Sequence, residues 1–136
     1  MNRSGAREQA FKLLYSTEIQ GGEESEEQVN LYLENNDILD KKTREYIIDI
    51  ISGIKQNEEE INKLIIDNLK KDWQLERIPK INISLLKLAI YEITYKEIPY
   101  KVAINEVVEL AKKYGEENAP IFINGILASV VKTKLN

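Results

Sequence analysis

The sequence predicts an all-α protein of about seven helices. Three observations predict it. Apolar residues recur at three- and four-residue spacing along most of the chain. Capping residues, glycines and prolines punctuate that pattern at helix length. No segment alternates strictly over a strand length, and no Asn-Gly turn joins two such runs, although β-branched isoleucine is abundant. The 136 residues are read as one domain, 1–136, with no internal repeat.

The first helix carries Ala6, Ala10, Leu13, Leu14 and Thr17 on one stripe and ends at Gly21-Gly22, where glycine accepts the left-handed cap conformation. Ser25-Glu26-Glu27-Gln28 reads as a capping box for a short helix with Val29, Tyr32 and Leu33 inward. Asn35-Asn36-Asp37 is a loop, and Asp40 caps a helix whose stripe is Ile47, Ile50, Ile51 and Ile54. Asn57 and three glutamates then start a helix with Ile61, Leu64, Ile65 and Asn68, the carboxylates sitting where the helix dipole favours them.

In the linker "KKDWQLERIPK", Trp73 fits a plug between helices better than a stacking surface. Pro79 sets up the next helix, "INISLLKLAIYEITYKE", which is apolar nearly all round and therefore belongs at the centre of the molecule. Glu92 within it is either a buried charge with a partner or an edge position. Pro99 opens a helix with Ala103, Val107, Leu110, Ala111 and Tyr114 on its stripe, stopped by Gly115. Pro120 falls in the first turn of a last helix, with Phe122, Ile126, Ser129, Val130 and Thr133 on one side.

Composition removes whole classes of chemistry. There is no cysteine and no histidine, so disulfides, thiolate metal sites, a cysteine nucleophile and a histidine base are excluded. No phosphate loop is present, and the paired glutamates fall in loops or first helical turns, where capping explains them. No cofactor or metal is expected. No apolar run approaches a membrane span, and the start "MNRSGAREQAF" lacks a signal core, so a cytoplasmic location is expected. The chain reads as a binding protein and not an enzyme.

Charge is uneven: the net −4 divides into +1 over residues 1–20, −8 over 21–60 and +3 over 61–136. A locally basic surface thus remains available outside the acidic segment. Arg3 and Arg7 lie one turn apart at a helix start, where the dipole disfavours cations. That cost points to an external anion, or else Arg7 pairs with Glu8 or an acid elsewhere. Lys12 and Tyr15 follow on the same helix, and arginine with an exposed aromatic is the chemistry of single-stranded RNA binding. The corner "YGEENAPIF" has two readings: a helix start that offers N–H groups, Asn118 and Phe122 to a ligand, or an ordinary turn with Asn118 as cap and Phe122 in the core.

Three stretches, "AREQAFKLLYS" (6–16), "LLKLAIYEI" (85–93) and "IPYKVAINEVVELAKKYGEENAPIFINGIL" (98–127), resemble the bacterial transcription antitermination factors of the NusB family in order and spacing. The resemblance implies two packed helical subdomains, about 1–75 and 76–136. It implies binding of boxA RNA, a single-stranded signal of rRNA operon leaders, as a heterodimer with the ribosomal protein NusE. The pair would join the RNA polymerase elongation complex with other Nus factors. The RNA contacts it implies are Arg3, Arg7, Tyr15, Lys101, Asn118, Phe122 and Asn124, and the partner-protein surface it implies lies near Glu76, Arg77 and Asn82. The alternative is a helical adaptor or homodimer without RNA binding of its own.

Overall fold

The computed structural model describes residues 1–21 and 26–135. Among the described residues there are seven α-helices, one short 3-10 turn and no strand. The helices are α1 (Arg3–Ile19), α2 (Glu26–Asn35), α3 (Lys41–Gln56), α4 (Glu58–Asp67), α5 (Lys80–Tyr95), α6 (Tyr100–Tyr114) and α7 (Ala119–Leu135), and the 3-10 turn is Leu75–Arg77. None of them is long and apolar enough to cross a membrane. The expected Ser25 capping box, Gly22 and the Glu23-Glu24 pair lie outside the described residues.

Local chemistry sets the ends. Asp40 accepts from the Thr43 N–H at 2.9 Å and from its hydroxyl at 2.8 Å, so α3 is capped as its sequence predicts. Asn57 precedes α4 but does not cap it; its Nδ2 turns back and donates to the Gly53 carbonyl at 2.8 Å, closing α3 instead. Glu58, Glu59 and Glu60 fill the first turn of α4. Gly21 takes φ +93°, the conformation expected after α1. Gly115 stops α6 differently. Its φ is −92°, an ordinary value, and a Cβ there would come within 2.7 Å of the Ala119 Cβ. The glycine is needed for the close approach of α7 to the end of α6, not for a left-handed turn.

Helix α5 is the hub, packed against α1, α3, α4, α6 and α7. Every side chain from Asn82 to Glu92 is buried. Each fully buried Leu or Ile contributes roughly 1.5–3 kcal/mol relative to exposure. The two charged residues in that stretch have partners. Lys87 reaches Glu18 on α1 at 2.5 Å and Glu58 on α4 at 3.6 Å, and Glu92 meets Arg7. The choice left open for Glu92 is thereby decided: it is a buried charge.

The expected stripes of α1 and α3 are the buried ones, and so is that of α6 except for Tyr114 at its end, which is half-buried. That of α7 is rotated. Its buried face is Ala119, Ile123, Ile126, Leu127, Val130 and Val131, while Phe122 is half-buried and Ser129 and Thr133 are exposed. An evenly apolar helix carries no strong periodic signal, so packing against α5 and α6 fixes its rotation.

Candidate nucleic-acid interface

Helix α1 begins where the Asn2 side chain accepts from the Gly5 N–H at 2.7 Å. Arg3 in its first turn is exposed, and its guanidinium lies 4.1 Å from the centre of the Tyr46 ring. Arg7 does not share that exposure. It is 3% exposed, because Ala6 and Ala10 on the same helix are small and let α1 lie close to its neighbours. Arg7 Nε donates to Glu92 Oε1 at 2.6 Å and Nη2 to Glu92 Oε2 at 3.0 Å. Its Nη1 donates to Glu106 Oε1 at 2.6 Å. The Ser4 hydroxyl donates to the same Glu106 oxygen at 2.5 Å, and the Tyr46 hydroxyl donates to Glu92 Oε2 at 3.2 Å.

This joint ties α1, α3, α5 and α6 together through charge-assisted bonds. Burial opposes the charge on Arg7, but the hydrogen bonds and charge of Glu92 outweigh it and hold the guanidinium ionised. Burial, then the Glu92 charge, pushes the Tyr46 hydroxyl well above its ordinary value. The expectation that Arg7 meets a phosphate is therefore corrected. Its guanidinium is spent on two carboxylates inside the protein.

Further along α1, Lys12 is exposed while Tyr15 is half-buried and stacked on Phe11, with ring centres 6.2 Å apart. Glu8 accepts from Lys113 at 2.7 Å and from the Tyr114 hydroxyl, bonds that hold its carboxyl below the ordinary value.

The remaining predicted residues gather around α7. Asn118 is exposed just before the helix, and its carbonyl accepts from the Phe122 N–H at 3.1 Å. Phe122 points toward the α4 side, where Trp73 stacks on it with ring centres 5.4 Å apart and planes 16° apart. Lys101 and Asn124, both exposed, share a different groove between α6 and α7, together with Tyr100, Val108 and Lys132. The structure brings Lys101 to Asn124 and places Asn118 one turn from Phe122. Arg3 and Tyr15 line neither groove.

Of the expected partner-protein residues, Glu76 and Arg77 are exposed on the 3-10 turn. Asn82 is 6% exposed, which corrects its assignment to a docking surface: the first turn of α5 already enters the core.

The model of the NusB family matches residues 4–132. The chain belongs to the NusB family. The transcription antitermination protein NusB of Acetivibrio thermocellus is 49% identical over 136 residues, covering 99% of this chain and 92% of its own. The structure of T. maritima NusB superposes with a TM-score of 0.86 at 35% identity, over 97% of this chain and 92% of that one. A chain of the crystal structure of antitermination factors NusB and NusE in complex with dsRNA gives a TM-score of 0.86 at 28% identity, over 96% of each chain.

Two features of this NusB-family chain escaped sequence reasoning. Trp73 is not a plug; it is 50% exposed, and Phe122 of α7 stacks on one side of the indole. Its setting among lysines and other polar residues was the available signal. Tyr46, which supports both Arg3 and Glu92, gave no signal, since it sits on a helix whose periodic stripe accounts for its neighbours.

Proposed function

We propose that this chain is a transcription antitermination factor that binds boxA RNA together with NusE and joins the RNA polymerase elongation complex with other Nus factors. The observation that carries the reading is the family match over nearly the whole chain, joined to full-length likeness to a chain solved with NusE and RNA. The surface fits the task. Arg3 is an exposed cation over an aromatic ring, Lys101 and Asn124 share a groove, and Asn118 and Phe122 flank a helix start. In this reading Arg3 and Lys101 neutralise phosphates, while Asn118, Asn124, Phe122 and the edge of Tyr15 meet bases. Glu76 and Arg77 face NusE. Arg7 serves the same surface indirectly by holding α1 in place. The factor acts in the cytoplasm and carries out no catalysis.

Fluorescence anisotropy of a labelled boxA RNA tests this with the chain, with NusE and with both. The mixture is expected to bind tightly and to weaken steeply as salt rises from about 50 to about 200 mM, as released counterions require. No binding in any mixture of folded proteins would overturn the RNA reading and leave a helical adaptor or homodimer.

A further inference from the structure

Trp73, the chain's single tryptophan, stands in the linker after α4. Half of Trp73 is open to solvent. Its other side lies nearly parallel to Phe122, which fixes the ring orientation. The pair walls a slot with Leu69, Ile121 and Gly125, and Lys70 stands at its rim. Among the described residues no carboxylate lines the slot, in a chain whose net charge is −4. At Gly125 a Cβ would meet nothing within 4 Å, so the floor of the slot is open.

We propose that Trp73, backed by Phe122, takes an unpaired base of single-stranded RNA onto its open face, with Lys70 pairing the adjoining phosphate. The inference rests on the RNA reading above and adds a contact to it. A flat, preoriented indole accepts any base, because every base has a π-face, and a lysine at the rim of a slot lined without carboxylates among the described residues suits the backbone between bases. A protein segment has no such need for a paired ring stack beside a cation. The slot therefore anchors the strand without selecting its sequence, and sequence choice is left to Asn118 and Asn124.

The lone tryptophan supplies its own probe. The intact chain with NusE is titrated with single-stranded boxA RNA. Anisotropy of the labelled RNA and Trp73 emission are followed together, with the emission of NusE subtracted. Binding is expected to quench Trp73 in step with the anisotropy rise. Trp73→Leu is expected to weaken binding about tenfold and Trp73→Phe about threefold, both with unchanged circular dichroism. If RNA binds while Trp73 emission stays constant, or Trp73→Leu binds as the parent does, the slot is not an RNA contact, although the RNA reading survives. If NusE alone quenches Trp73 and RNA adds nothing, the slot is a protein contact and the proposal is overturned. If no RNA binds at all, the broader reading fails with it. The emission of the unmutated protein decides the matter even if Trp73→Leu does not fold.

Discussion

The joint beneath α1 and the slot beside α7 use side chains of the same kinds, cations and aromatics, in opposite ways. In the joint, Arg7 meets Glu92 and Glu106, Tyr46 completes the set, and the guanidinium has no face left for a ligand. In the slot, Trp73 and Lys70 remain accessible, and among the described residues no carboxylate lines it. Arg3 and Arg7 repeat the contrast within one helix: four residues apart, one rests on a tyrosine in solvent and the other is buried. The difference teaches that a cation on this protein is available for binding only where the fold has not already supplied an anion.

The largest expected effect comes from breaking the joint. Arg7→Ala leaves Glu92 buried without its cation and is expected to lose about 3–5 kcal/mol of stability. Urea unfolding measures it. A loss below about 1 kcal/mol, the value typical of an exposed pair, would mean the joint is not buried in solution. Next comes the contact between α3 and α5. A Cβ on Gly53 would stand 2.1 Å from the Tyr91 hydroxyl oxygen and 2.2 Å from its ring. Tyr91 is itself held by Asp49 at 3.0 Å. Gly53→Ala gains about 1 kcal/mol of helix propensity but incurs overpacking of about 1–3 kcal/mol, so a net destabilisation is expected in thermal melts. A stabilised variant would show that Tyr91 swings aside freely.

Arg3→Ala sharpens the contrast with Arg7. It is expected to leave the melting temperature unchanged, to weaken boxA binding about three- to tenfold, and to make the salt dependence shallower by about one unit. A variant that melts early but binds RNA normally would reverse the roles assigned to the two arginines. The smallest effect is at Asp40, whose carboxyl is held below its ordinary 3.8 by the Thr43 N–H and then by the Thr43 hydroxyl. A carboxyl lowered on folding stabilises the protein above its ordinary value and loses that contribution as pH falls through the folded value. Asp40→Ala should therefore be the less stable protein at pH 7, with the difference vanishing in acid. A difference that persists unchanged at low pH would show that the cap acts without its charge.

How far the sequence could be read varies along the chain. The helices, the hub position of α5 and the cap at Asp40 were legible, because each follows from neighbours three or four residues away. The rotation of α7 was not, since its composition is apolar on nearly every side. The candidate interface was legible in part. The motif blocks named the family and supplied Asn118, Phe122, Lys101 and Asn124 as expectations, but they could not separate Arg3 from Arg7, expose Trp73 or bury Asn82.

The sequence by itself determined an all-helical chain without cysteine or histidine chemistry, because periodicity, caps and composition are local quantities, and its motif blocks carried the resemblance to the NusB family. Only the tertiary structure decided which cations are free. Arg7 is claimed by a carboxylate 85 positions away in the chain, and Trp73 is turned outward by a phenylalanine on α7. Burial and pairing of that kind depend on which distant helices come together. The desolvation of Arg7, which makes Glu92 obligatory, exists only once α1 has packed against α5.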